Sequence, residues 1–183
     1  KTNFKPEYGV VLGSGLGGFA DDIQILHTIS YIEIPNFPIS TVQGHKGALL
    51  FGLIGDKKVL AMQGRFHYYE GYDMKQVTFP IRVMKQLGIE KLIVSNASGG
   101  VNPTFKVGDI MLIKDHINMM PEHPLRGHNE ERFGPRFVNM SEPYSKAMLA
   151  KLKAIATTMQ VEVQEGVYLA LQGPTFETLA EYR

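Results

Sequence analysis

The chain has 183 residues, of which 44% are hydrophobic and 20% charged, and its formal net charge at pH 7 is +1. A chain of this size can bury a sizeable core, so we expect one domain spanning residues 1–183. The basic residues form no run of like charge, which argues against a nucleic-acid partner. The absence of cysteine excludes disulfides, thiolate catalysis and thiolate metal sites.

The apolar stretches are strand-sized, well short of the roughly 20 residues that a membrane-spanning helix needs. No leader-like segment stands at the start, so we expect a cytoplasmic protein without membrane contact. The chain begins without methionine and stops at Arg183 in what the pattern predicts to be a helix just begun, with no stop signal. We therefore expect residues that complete the fold to be missing at the C-terminus.

Short apolar runs that end in small or turn-forming residues predict buried parallel strands at 8–12, 58–62, 91–94 and 167–171. The stretches 24–34 and 48–54 predict further strands, with an antiparallel hairpin around Gly55-Asp56. Helical periodicity covers residues 77–87, closed by Gly88, and residues 144 to about 160.

These elements predict an α/β fold with a mixed, mainly parallel central sheet flanked by helices. Residues 118–140 carry proline, glycine and three arginines and predict an irregular connection. A connection of that length is usually functional or interfacial. In an open α/β sheet ligands bind at the carboxyl ends of strands, so the residues that follow each strand are the candidates for a site.

Residues 13–18, after the first strand, read G-x-G-x-x-G, the spacing of the dinucleotide-binding fingerprint. That interpretation needs a full helix after the glycines and an acid about 20 residues on, whereas only residues 19–23 separate this turn from the next predicted strand. Residues 13–18 have two other interpretations. They form either a tight turn that simply needs glycine, or an anion site that uses backbone N–H groups and the Ser14 hydroxyl.

The most informative residues follow the second strand. If the extended backbone continues, Arg65, His67 and Tyr69 share one face, with Phe66 and Tyr68 on the other. Arginine matches phosphate with two parallel hydrogen bonds, and histidine can donate to an anion near neutral pH. The alternation favours a functional site over an unpaired surface arginine.

Other junctions are less specific. His45 lies between two glycines, where a loop histidine is more often solvated than functional, and residues 95–100 form a small-residue loop. Thr175 is a natural N-cap that places Glu177 in the first helical turn, where capping alone accounts for a carboxylate. Against that, Phe176 beside Glu177 offers an aromatic face and an acceptor pair for a heterocycle with adjacent N–H groups. The histidines show no metal-ligand spacing and there is no P-loop.

Five motifs in order resemble purine nucleoside phosphorylase of the trimeric, lower-molecular-weight class. They are VLGSGLG at 11–17, GRFHYYEGY at 64–72, NASGG at 96–100, GDIM at 108–111 with DHIN at 115–118, and GPTFET at 173–178. Each motif alone is weak, but the ordered set is specific and spans the chain. Ser98 stands where many members have alanine.

The resemblance implies phosphorolysis of inosine- and guanosine-type ribonucleosides to the base and ribose 1-phosphate, in a homotrimer, without a metal or organic cofactor. It implies that Glu177 accepts from ring N–H groups and so selects 6-oxopurines over adenine. The residues it implies for phosphate are Ser14, His45, Arg65, His67 and the backbone at Ala97. For the nucleoside it implies Tyr69 near the ribose, Phe176 and Glu177 at the base, and Phe137 at the neighbouring subunit's site.

Several alternatives stay open. One is a methylthioadenosine- or xanthosine-preferring phosphorylase, and another is an oxidoreductase suggested by the glycine fingerprint alone. The chain matches about the first two thirds of a typical member. The asparagine and histidine that serve the leaving base and the 5'-hydroxyl in the family lie beyond that part, so a binding module or an inactive fragment that only binds phosphate is the third alternative.

Overall fold

The computed structural model describes residues 3–39 and 46–183. The chain forms two compact units, the first ending at Ser98 and the second running from Gly99 to Arg183. Each unit has its own sheet. The expectation of a single domain stays a prediction.

A five-stranded mixed sheet forms the first unit. Its strands are β1 (Tyr8–Val11), β2 (Gln24–Ser30), β3 (Ala48–Ile54), β4 (Lys57–Gln63) and β5 (Lys91–Val94), in the spatial order β2-β3-β4-β1-β5. β1 is central and pairs in parallel with β4 on one side and β5 on the other. β3 pairs antiparallel with both β2 and β4, and the predicted hairpin turns between Ile54 and Lys57. The carboxyl ends of β1, β4 and β5 therefore meet at one edge.

Helix α1 (Met74–Gln86) connects β4 to β5. It begins three residues earlier than predicted because Asp73 caps it, accepting from the Gln76 backbone N–H at 2.8 Å. The Gln76 side chain accepts in return from the Asp73 N–H at 3.0 Å. This reciprocal capping box satisfies two backbone donors and fixes where the helix starts.

Both faces of the sheet are buried, because successive residues of a strand point to opposite sides. On β4, Leu60 and Met62 join the cluster beneath α1, while Val59 and Ala61 join the cluster on the other face. Leu60 and Ala61 are 0% exposed. Burial on two faces explains why the central strands read as continuous apolar runs rather than as alternating ones.

In the second unit, β6 (Ile110–Asn118) pairs in parallel with β7 (Val163–Ala170). Helix α2 (Lys146–Thr158) lies between them in the chain, and the Ser145 hydroxyl caps it by accepting from the Met148 N–H at 3.3 Å. In the described ranges, no helix combines the length and the apolar character needed to cross a membrane.

The structure confirms the α/β class with a mixed sheet, and three of the strand predictions differ from it. β6 was not predicted, because charged residues and a register shift between Ile113 and Asp115 break its pattern. The predicted strand 24–34 ends at Ser30, where a 3-10 turn (Tyr31–Glu33) begins with a capping box between Ser30 and Glu33. β7 starts four residues before the predicted 167.

The prediction of a helix after Thr175 is wrong. The capping residue is Thr178, whose hydroxyl accepts from the Glu181 N–H at 3.3 Å while the Glu181 carboxylate accepts from the Thr178 N–H at 2.6 Å. The segment after it forms only turns. Glu177 consequently lies just before the capped turn and not inside it.

Candidate functional site

Ser95 joins the ends of the parallel strands. Its backbone N–H and its hydroxyl both donate to the carbonyl oxygen of Val11, at 3.1 and 3.2 Å. The hydroxyl oxygen in turn accepts from the N–H of Gly13 at 3.1 Å. The exits of β1 and β5 are thereby locked together directly beyond the last residue of each strand.

Gly13 is required by this contact. A Cβ atom at position 13 would lie 2.6 Å from the Ser95 carbonyl oxygen and 2.7 Å from the Asn96 Cα. Both neighbours are backbone atoms, which cannot rotate away as a flexible side chain can. The first glycine of the fingerprint therefore serves a close approach between two strand exits.

The glycine turn borders a cavity of about 290 Å³. Ser14 is exposed there, and Gly15 adopts a φ of +82° that favours glycine. Lys46 and Asp21 contribute charged side chains to the lining. The turn is followed by a six-residue 3-10 helix (Gly17–Asp22), and the next strand begins at Gln24. A dinucleotide-binding unit needs a full α-helix at this point, so the structure argues against dinucleotide binding at this turn.

Arg65 and His67 come together just beyond β4. The Arg65 Nε–H donates to His67 Nε2 at 2.9 Å, and Nη1 donates to the carbonyl oxygen of Ser95 at 3.0 Å. Arg65 thus bridges the exits of β4 and β5. The guanidinium is held by hydrogen bonds from two of its nitrogens at the edge where the three parallel strands end.

Glu70 orients His67 from the other side. One carboxylate oxygen, Oε1, lies 2.8 Å from both the backbone N of His67 and its ring Nδ1. The Glu70 side chain is only 2% exposed. A buried carboxylate that accepts two N–H groups is a strong anchor for the ring.

These partners define the proton positions on His67. Arginine has only donors, so Nε2 must accept, and the carboxylate beside Nδ1 requires the ring proton there. In this arrangement the imidazole is neutral, with its proton facing Glu70. For His67 to donate to an anion from Nε2, that nitrogen must first be protonated and Arg65 must move off it.

Tyr69 lies beside this pair, as predicted, although not because the strand continues. Residues Tyr68–Glu70 form a 3-10 turn, and the Tyr69 ring stacks on the His67 ring with centroids 4.8 Å apart. Tyr69 is 47% exposed, whereas Phe66 is 4% exposed in the core. The exposed tyrosine presents a stacked ring surface at the rim of the site.

Two further predicted phosphate contacts are less defined. Ala97 is exposed in the loop after β5, and its carbonyl oxygen accepts from the Asn96 side chain at 3.0 Å. His45 lies outside the described residues.

The nucleoside residues predicted at positions 137, 176 and 177 belong to the second unit. Phe137 is 90% exposed and Phe176 is 92% exposed. Glu177 is exposed, and its Oε2 accepts from the Tyr182 hydroxyl at 3.3 Å. In contrast to the His67 side chain, which is 14% exposed, the two phenylalanine rings are presented to solvent.

Sequence reasoning missed two residues of the edge, Ser95 and Glu70. A serine after a strand is indistinguishable from an ordinary turn residue, and its partners are more than 80 residues away in the chain. Glu70 follows His67 by three residues, which is the spacing of a capping box. This spacing could have indicated that the two residues are in contact.

A mixed sheet in an α/β fold, with a glycine turn and a hydrogen-bonded arginine where its parallel strands end, is typical of α/β proteins that bind a ligand at this edge. The family model described as the phosphorylase superfamily matches residues 7–183. Together with the relatives below, this match shows that the chain belongs to the phosphorylase superfamily and, within it, to the purine nucleoside phosphorylases.

Two curated relatives illustrate the similarity. Purine nucleoside phosphorylase 1 of Geobacillus stearothermophilus is 54% identical over 97% of this chain, and purine nucleoside phosphorylase of Bos taurus is 53% identical over the whole of it. The chain spans 65% of the length of either relative. Among solved structures, a purine nucleoside phosphorylase in complex with ribose-1-phosphate has a TM-score of 0.93 at 45% identity, with 99% of this chain and 68% of that one covered.

The close approach at Gly13 predicts that Gly13→Ala is destabilising. The new methyl group would force the exits of β1 and β5 apart, at a cost of about 1–3 kcal/mol, the usual range for overpacking. Thermal unfolding should show the melting temperature lowered by roughly 2–4 °C per kcal/mol. Gly17→Ala is the matched control, because a Cβ there meets nothing within 4 Å. Equal stability of the two variants would contradict the role of Gly13.

A second prediction concerns the proton position on His67. Glu70→Ala removes the acceptor of two N–H groups and should lower the stability by about 1–3 kcal/mol. ¹⁵N NMR should find the His67 proton on Nδ1 in the unsubstituted chain and shared between both nitrogens in the variant.

Glu70→Gln retains an oxygen acceptor and should preserve the Nδ1 proton. Glu33→Ala removes the equivalent carboxylate from the capping box at Ser30 and serves as the control for capping alone. If the tautomer of His67 is the same in all four proteins, Glu70 does not orient the ring.

Proposed function

We propose that this protein is a purine nucleoside phosphorylase that cleaves inosine- and guanosine-type ribonucleosides with inorganic phosphate. The observation that carries the proposal is the bridge from Arg65 to Ser95 and His67 at the edge where three parallel strands end. It places a planar cation beside a glycine turn, and a phosphate oxyanion is the natural ligand of such a pair.

The phosphate is proposed to bind Ser14, Arg65, His67, His45 and the backbone at Ala97. Ser14 lines the cavity at the glycine turn, and Arg65 is fixed beyond β4. A guanidinium whose orientation is set before the ligand arrives loses less conformational freedom on binding than a free one. The position of Arg65 therefore supports affinity as well as charge complementarity.

In the proposed reaction, the bound phosphate is the nucleophile. A phosphate oxygen forms a bond to the anomeric carbon as the bond from that carbon to the purine nitrogen breaks, and the electron pair leaves with the base. Orientation of phosphate by Arg65 and Ser14 makes the attack effectively unimolecular. The phosphate charge also stabilises the cationic character that develops on the sugar.

The nucleoside end of the proposal involves Tyr69, Phe176 and Glu177. The exposed ring of Tyr69 would lie near the ribose, and Phe176 would stack on the purine. Glu177 would accept hydrogen bonds from the N–H groups of a 6-oxopurine, which adenine cannot match at the same ring nitrogen. The acceptor capacity of an exposed carboxylate supports this role.

The assembly proposed is a homotrimer in which Phe137 contributes to a neighbouring subunit's site. The 90% exposure of Phe137 supports its availability to a partner. The proposal includes no metal or organic cofactor, since phosphate is a co-substrate, and it includes a cytoplasmic location.

The first test of this function is phosphate-dependent release of hypoxanthine from inosine, followed by coupled oxidation of the base. It compares this chain with a chimera that adds the remaining third of the Geobacillus stearothermophilus relative. We expect phosphate-dependent release of hypoxanthine by the chimera. Release by this chain as well would show that residues 1–183 suffice for the reaction. Hypoxanthine release by neither protein would refute the proposal, and tight binding of NADH would favour an oxidoreductase instead.

The second test is Glu177→Ala in whichever protein is active. Loss of the acceptor for the leaving base should lower kcat/KM for inosine by about 100-fold or more, as removal of one transition-state contact commonly does. Glu142→Ala is the control, because that carboxylate is exposed and pairs with Lys146 at 3.7 Å. An unchanged kcat/KM in the Glu177 variant would remove this residue from the mechanism.

A further inference from the structure

Tyr31 is a buried tyrosine that the proposed reaction does not use. Its side chain is 1% exposed, and its ring packs against Phe37 and Phe66 with centroids 4.9 and 5.1 Å apart. A phenol in such surroundings needs a partner for its hydroxyl. It donates to the carbonyl oxygen of Gly64 at 2.6 Å, in a fully buried hydrogen bond.

Gly64 is the residue through which β4 passes to Arg65. Its φ of +110° lies in the left-handed region, where glycine is favoured. Glycine also restrains its own backbone least of all residues. The direction in which Arg65 leaves the strand must therefore be fixed by something other than the Gly64 backbone itself.

The hydroxyl of Tyr31 supplies that restraint. A peptide unit is planar, so a hydrogen bond that fixes the Gly64 carbonyl also fixes the plane that contains the Arg65 nitrogen. The backbone of Tyr31 is tied to the same strand end, because its N–H donates to the Gly47 carbonyl and the Gly47 N–H donates to the Gln63 carbonyl, both at 2.9 Å. The tyrosine is therefore linked to the exit of β4 through its side chain and, by way of Gly47, through its backbone.

We propose that Tyr31 is a positioning residue of the candidate site, which fixes the Gly64–Arg65 peptide and through it the guanidinium of Arg65. The guanidinium must reach both His67 Nε2 and the Ser95 carbonyl oxygen, so a small rotation of this peptide would break one bond or the other. The effect on the position of Arg65 is independent of any ligand. The effect on phosphate binding rests on the proposed function.

The restraint is also insensitive to pH near neutrality. Burial raises the pKa of the Tyr31 phenol well above its usual range, so the hydroxyl remains a donor wherever the protein is folded and near neutral pH.

The test is Tyr31→Phe, which keeps the ring and removes only the donor. ¹⁵N NMR of the Arg65 Nε–H should show a slowly exchanging proton in the unsubstituted chain and at least ten-fold faster exchange in the variant. Calorimetric titration with inorganic phosphate should show about ten-fold weaker binding. Tyr8→Phe is the matched control, since Tyr8 lies at the opposite end of β1, where its hydroxyl accepts from Lys91 Nζ at 3.3 Å.

Leu50→Val controls for a general loss of stability, because Leu50 is 3% exposed in the cluster on the other face of the sheet. It should lower the melting temperature without changing the exchange of the Arg65 Nε–H. An Arg65 signal in Tyr31→Phe identical to that of the unsubstituted chain would overturn the inference. If the unsubstituted chain does not bind phosphate, the proposed phosphate site of residues 1–183 is refuted for this chain, while the Arg65 signal still decides the role of Tyr31.

Discussion

The hydrogen bonds of Ser95 to Val11 and Gly13 are the constraint on which the candidate site depends. They hold two parallel strand exits at a separation that leaves no room for a Cβ atom at position 13. The Ser95 carbonyl oxygen then offers Arg65 a fixed acceptor, so the exit of β4 is tied to the same point. Parallel strands are joined by long connections, so no tight turn holds their ends together. A site formed by three such ends therefore depends on local hydrogen bonds of this kind for its rigidity.

At this edge of the sheet, a cation, a neutral ring and an anion are hydrogen-bonded in a row. Arg65 carries the positive charge, the His67 ring is neutral, and the nearly buried Glu70 carries the negative charge. Without a ligand the guanidinium bonds to an imidazole nitrogen and a carbonyl oxygen, both of which are neutral acceptors. An oxyanion is a stronger acceptor for this cation than either, because its full negative charge adds a Coulombic attraction. In the proposed complex, phosphate competes with these neutral acceptors for the guanidinium N–H groups, whereas the bonds of Ser95 to Val11 and Gly13 do not involve Arg65.

Much of the fold could be predicted from the sequence because β1 and β4 are buried on both faces and read as uninterrupted apolar runs. β5 shows the same pattern and is a strand, but the expected burial is wrong, since Leu92, Ile93 and Val94 are 38–50% exposed. β6 could not, since its charged residues and its register shift hide any period. Within the site, Arg65, His67 and Tyr69 were expected together because an extended backbone alternates its side chains. Arg65 and His67 do lie together and His67 is extended, whereas Tyr69 stacks on His67 because of the 3-10 turn at Tyr68–Glu70. Contacts such as that of Ser95 with Gly13 join residues far apart in the chain, and no local pattern reveals them.

The two predicted halves of the site differ in how firmly the chain holds them. Arg65 and His67 are anchored by hydrogen bonds to buried or half-buried partners and, through Gly64, to the aromatic core around Tyr31. Phe137 and Phe176 are at least 90% exposed in their own unit. A side chain with such exposure retains its rotamer freedom and must lose it when a ligand or a neighbouring subunit covers it. The order of Arg65 and His67 is therefore intrinsic to the first unit, whereas the rings of Phe137 and Phe176 become ordered only if a ligand or a neighbouring subunit covers them.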